Sequence, residues 1–157
     1  MDARLNMYTS PTALKAWKHI IAAGKLLEDG TVPTSTLELM KIRASQINGC
    51  GYCLDMRTKD ATAAGETPIR LHLVAAWREA TVYTDAERAA LALAEQGTRL
   101  ADAAGGVSDE VWAEAAKHYD ENQLAVLVSA LAVINAFNRG NVIAQLPAGD
   151  YQPGQHG

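Results

Sequence analysis

The sequence predicts an all-α fold, a single bundle of about seven helices. Three observations carry that prediction. Of 157 residues, 29 are alanine and one is phenylalanine, a composition suited to closely packed helices and poor in the β-branched and aromatic residues that strands prefer. No stretch alternates polar and apolar residues as a half-buried strand does. And the chain repeatedly places capping residues just before apolar positions spaced three and four apart.

Taken in order, Ser10-Pro11 reads as an N-cap followed by proline in the first turn. Leu14, Trp17, Ile20, Ile21, Gly24 and Leu27 continue at helical spacing to Asp29-Gly30. Pro33 precedes a second start. There Ser35 and Glu38 stand three apart and predict a capping box, and Asn48-Gly49 ends the helix. A third helix should begin at or just before Cys50 and run to Ala64, with Gly65 as its stop. Thr67-Pro68 opens a fourth carrying Leu71, Val74, Ala75 and Trp77. Thr84 with Glu87 opens a fifth, through Leu100. Ser108 caps a sixth, with Val107 and Trp112 placed as a hydrophobic staple. Asp120 with Gln123 caps the seventh, with Tyr119 and Leu124 as its staple. Because the seventh is apolar on nearly every side from Leu124 to Ile134, it is expected to be central. Residues 1–150 form one domain on this reading. Residues 151–157 are a tail, and the segment after Pro147 is expected to be frayed or partner-dependent.

Composition narrows the function. The net charge is −4, so no basic surplus exists to neutralise phosphates, and no nucleic-acid partner is expected. The first residues lack the apolar core of a secretory signal. The most apolar run, Leu124 to Ile134, is shorter than the ~18 residues a bilayer span requires. A cytoplasmic protein with no membrane partner is expected.

The chemistry concentrates in Glu38 to Arg57. Cys50 and Cys53 are the only cysteines. At i and i+3 they share a helix face, within the Cα separation that a disulfide requires. They also sit at a helix start, where free N–H groups and the dipole favour a thiolate, the reactive form. Arg57, four residues after Cys53, adds a fixed positive charge on that face. Redox chemistry competes with a plainer reading, two small apolar side chains in a helix contact. A metal site is not expected: His19, His72, His118 and His156 are scattered, and zinc takes four ligands. No cofactor is expected either. Glu38 could serve as a helix cap, and Arg57 could pair with Asp55, Asp60 or Glu38. Asn135, Asn138 and Arg139 lie on one face of the seventh helix and need partners. They could order the helix ends near the cysteines or hold a subunit contact.

The run Arg43-Ala44-Ser45-Gln46-Ile47-Asn48-Gly49-Cys50-Gly51-Tyr52-Cys53, with Glu38 upstream, resembles the alkylhydroperoxidase D-like core of the carboxymuconolactone decarboxylase superfamily. The resemblance continues through Trp77-Arg78-Glu79, the helix start at Thr84, and Asn135 to Arg139, covering roughly residues 10–150. It implies an all-α homo-oligomer whose redox-active members reduce a peroxide substrate with the cysteine pair. The resulting disulfide is recycled by a dithiol or thioredoxin-like reductant. It also implies catalytic roles for Cys50, Cys53 and Glu38, and for a histidine four residues after the second cysteine. That position is Arg57 here. Arginine stabilises a thiolate, but it does not exchange a proton near pH 7 as histidine does. Two readings follow: a peroxidase with an altered proton relay, and a low-turnover redox-responsive or small-molecule-binding helical oligomer. Lactone decarboxylation does not need a cysteine pair, so the Cys-x-x-Cys argues against it.

Overall fold

The computed structural model describes residues 2–155. Met1, His156, Gly157 and the side chain of Tyr8 lie outside that description. Among the described residues there are seven α-helices and no strand. They are α1 (Pro11–Leu26), α2 (Thr34–Ile47), α3 (Gly51–Ala63), α4 (Pro68–Leu73), α5 (Asp85–Thr98), α6 (Asp109–His118) and α7 (Glu121–Ala144). The all-α prediction holds.

Most helix starts follow the predicted chemistry. The Ser10 and Ser108 side chains accept the backbone N–H groups of Ala13 and Val111, each at 3.3 Å. Thr84 with Glu87, and Asp120 with Gln123, form complete capping boxes. Gly65 stops α3 with a φ of +95°, a backbone conformation that costs glycine nothing. Tyr119 and Leu124 are buried together in the core, whereas Trp112 stays 45% exposed.

Four expectations need correction. The Ser35–Glu38 capping box does not form. Thr34 is already helical and Pro33 is the N-cap, with no side-chain bond to the helix. That leaves Ser35 inside the first turn, and Glu38 turns instead toward two cations. The fourth helix is shorter than predicted. It gives way to a 3-10 turn at Val74–Ala76, so Trp77 follows the turn rather than riding on the helix.

The third correction concerns the centre of the bundle. α7 buries one stripe: Leu124, Leu127, Ala130, Leu131, Ile134, Asn138, Asn141 and Ala144. Its other face leaves Val128, Val142 and Ile143 exposed. At 24 residues α7 is long and apolar enough to cross a membrane by length and composition, well beyond the predicted apolar run. Here its buried stripe packs on α2 and α5. The central element is α2, which lies against α3, α5 and α7. Leu37, Met40 and Ala44 join one apolar cluster with α5, α6 and α7. Leu39 and Ile42, on the other side, join a second with Ala61, Leu71, Trp77 and Leu91. Fully burying side chains of this size contributes roughly 1.5–3 kcal/mol each, so a helix buried on two faces ties the bundle together.

The fourth correction is the tail, whose described residues lie along α3. Asp55 accepts the N–H groups of Gly149 (2.7 Å) and Tyr151 (3.3 Å). Lys59 donates to the Gly149 and Tyr151 carbonyls at 2.8 and 2.9 Å. The Tyr151 hydroxyl donates to Asp60 at 3.0 Å, and its ring is buried. α1 also approaches α7 closely. A side chain at Gly140 would come within 2.7 Å of Trp17, whose ring stacks on Phe137 with centroids 5.5 Å apart.

Candidate redox site

Asn48 closes α2, and Gly49 then takes a φ of +64°, which reverses the chain. The turn leaves Cys50 extended at the N-cap of α3, its N–H donated to the Ser45 carbonyl at 3.0 Å. Its sulfur replaces the usual capping oxygen and accepts the Cys53 N–H at 3.3 Å. Cys50 and Cys53 form a disulfide, with Cα atoms 5.3 Å apart and S–S 2.10 Å. Both residues are buried, at 1% and 0% exposure. Asn141 of α7 donates to the Cys53 sulfur at 3.4 Å.

A ladder of amides holds this loop against α7. Asn48 donates to Asn135 and Asn138, each at 2.9 Å. Asn138, fully buried, donates to the Ser45 hydroxyl at 3.0 Å, and Ser45 back-bonds to the Lys41 carbonyl at 2.8 Å. Of the two roles open for these asparagines, ordering the helix ends is the one the geometry displays.

The predicted partners meet as follows. Arg57 donates to Glu38 Oε1 at 3.2 Å, choosing Glu38 over Asp55 and Asp60. The same oxygen accepts Lys41 Nζ at 2.8 Å, and Lys41 also donates to Glu28 at 2.7 Å. The second oxygen of Glu38 and the Nε of Arg57 are buried, with no hydrogen-bond partner among the described residues.

A cavity of about 610 Å³ lies between α1, α3, α7 and the tail. Cys53, Arg57 and Lys41 line it, with Met56, Phe137 and Val133 among its apolar walls. Cys50 and Glu38 are not on this wall. Glu38 instead lines a second cavity of about 230 Å³, between α2 and α3. The four predicted residues therefore divide: Cys53 and Arg57 face the large cavity, while Cys50 and Glu38 support them from behind.

Sequence reasoning missed Lys41, Glu28, Asn141 and Tyr151. Lys41 carried a signal, since it stands three residues after Glu38 on one helix face. Asn141 continues the Asn138 face but touches a residue 88 positions away, and no local pattern marks such a contact.

The model of the carboxymuconolactone decarboxylase family matches residues 11–96, more than half of the chain. The chain belongs to that family. A relative of the chain is YdfG of Bacillus subtilis (strain 168), an uncharacterized protein 37% identical over 139 residues, 88% of this chain and 92% of that one. Among solved structures, the fold is similar to that of Atu0492 from Agrobacterium tumefaciens. The TM-score is 0.87 at 28% identity, covering 96% of this chain and all of that one. Atu0492 is described as a protein of unknown function assigned to antioxidant defence as AhpD. The debrominase Bmp8 shares the fold at 21% identity, with a TM-score of 0.78 over 92% of this chain and 74% of its own. The same helical scaffold is therefore shared with a debrominase and with a protein linked to antioxidant defence.

Proposed function

We propose that this family member is a thiol-dependent peroxidase in which Cys53 attacks the peroxide and Cys50 resolves the product. The observation that carries the reading is the Cys50–Cys53 pair at the start of α3, with Cys53 on the wall of an apolar cavity beside Arg57. In the reduced protein, the helix start and the Arg57 charge favour the thiolate. That thiolate attacks one peroxide oxygen. The S–O bond forms, the O–O bond breaks, and the alkoxide leaves and takes a proton. Cys50 then attacks the sulfenic sulfur, forming the disulfide and releasing water. A dithiol reductant restores both thiols by exchange, leaving as its own disulfide. Peroxide consumption coupled to dithiol oxidation tests this reading. Activity lost on either Cys50→Ser or Cys53→Ser supports it. Consumption unchanged in both variants overturns it.

One observation favours a second reading. Arg57 occupies the family's histidine position and is committed to Glu38, so the usual proton shuttle is missing. A protein that forms its disulfide once and turns over slowly would act as a redox-responsive binder. Disulfide formation without sustained peroxide consumption would select this reading over the first.

A further inference from the structure

We propose that Lys41 is the catalytic acid of peroxide cleavage, and that it exchanges protons with solvent through Glu28. This inference rests on the peroxidase reading and supplies the group that reading lacks.

Lys41 is 6% exposed, and burying an ammonium is expensive unless it is paired. Two carboxylates meet it, Glu28 at 2.7 Å and Glu38 at 2.8 Å. They differ in setting. The Glu38 side chain is buried, whereas that of Glu28 is 37% exposed and reaches solvent. An ammonium has three N–H donors. Two are used by the carboxylates, which leaves one for an oxygen in the cavity that Lys41 lines together with Cys53.

The other titratable groups on that wall are less suited. Arg57 keeps its proton at any working pH. Asp60 accepts the Tyr151 hydroxyl at 3.0 Å and the Gly154 N–H at 3.2 Å, so both it and Tyr151 are engaged with one another. Lys25 is exposed and no buried carboxylate fixes it. α7 offers the wall only the neutral Asn141 and apolar side chains.

The proton balance closes. Ionisation of the Cys53 thiol releases one proton to solvent. Its thiolate attacks ROOH, the S–O bond forms, the O–O bond breaks, and the electron pair departs on RO⁻. Lys41 protonates that oxygen, giving ROH and a neutral amine. The amine recovers a proton from solvent through Glu28. The Cys50 thiol then attacks the sulfenic acid, and its proton leaves with the hydroxide as water. Two thiols and one peroxide yield a disulfide, an alcohol and water.

The test mixes pre-reduced protein with stoichiometric cumene hydroperoxide and follows disulfide formation by quenched alkylation and mass spectrometry. Lys41→Arg keeps the charge and the acceptors but holds its proton. It is expected to slow disulfide formation by about 10²–10⁴-fold, with the pH dependence of Cys53 alkylation unchanged. In steady-state peroxide turnover with a dithiol reductant, where Lys41 must regain its proton each cycle, Glu28→Gln is expected to give a smaller loss that imidazole buffer rescues. Lys41→Arg as fast as the parent overturns the proposal and leaves the peroxidase reading standing. So does a loss explained by a shifted Cys53 ionisation. If Lys41→Arg does not fold, Glu28→Gln decides alone, and an unchanged turnover rate there overturns the proposal. A parent protein that forms no disulfide overturns both readings at once.

Discussion

Arg57 lies in the large cavity, four residues after Cys53, and its guanidinium is tethered to Glu38. Replacing it separates charge from proton transfer. Arg57→Ala removes the cation, so the Cys53 thiol pKa should rise and the rate of peroxide attack at pH 7 should fall. Arg57→His adds a group that titrates near pH ~6.5. It should raise kcat, by less than the ~10²–10⁴-fold that general acid–base help supplies where no acid is in place, with a new limb in the pH–rate profile near neutrality. Kinetics of the three proteins, with thiolate absorbance followed in parallel, check both expectations. At this scale the sequence was informative about chemistry and silent about partners. The cysteines, Glu38 and Arg57 were legible because their spacing is local. The Lys41–Glu28 and Cys53–Asn141 contacts were not, because they join residues that only tertiary packing brings together.

At the scale of elements, helix starts were legible where an oxygen side chain stood at the true N-cap, as at Thr84 and Asp120. The reading failed at α2. Proline took the cap, and the apparent capping glutamate was drawn to Lys41 and Arg57, because charge-assisted bonds are stronger than neutral ones. The centrality of α2 was hidden for the same reason. Glu38 and Lys41 look like surface residues in sequence, yet they neutralise each other inside the bundle. The tail was misjudged because its order comes from α3. Asp55, Lys59 and Asp60 grip its backbone and Tyr151. Tyr151 and Gly154 line the cavity, so removing residues 147–157 should open the Cys53 side. Alkylation of the reduced protein by a bulky maleimide should then accelerate severalfold, while helical content by circular dichroism stays the same. An unchanged rate would mean that the tail does not control access.

Over the whole molecule, buried ion clusters set the pH range of stability. Glu95 is buried, which pushes its pKa up, but hydrogen bonds from Arg78, Arg43 and Trp77 outweigh that and hold it below the ordinary value. Glu87 behaves likewise, with burial opposed by Arg70 and the Thr84 N–H. A carboxylate whose pKa is lowered by folding contributes stability above its unfolded value. That contribution is lost as pH falls through the folded value. Tm should therefore be nearly flat from pH 7 down to about pH 5 and drop below about pH 4.3, the ordinary Glu value. Glu95→Gln should lower Tm at pH 7 and shrink the acid drop, as thermal melts across pH can show. The exposed Leu26, Trp112, Val128 and Ile143 bear on assembly. We expect a closed homo-oligomer, which sedimentation velocity would detect as a species heavier than the 16.8 kDa chain. The account's central claim is that Cys53 is the sulfur that meets the peroxide. The direct measurement is mass spectrometry of the Cys50→Ser and Cys53→Ser proteins after stoichiometric peroxide in the presence of dimedone. The account predicts a dimedone adduct on Cys53 in the Cys50→Ser protein and none on Cys50 in the Cys53→Ser protein. An adduct confined to Cys50 would contradict it.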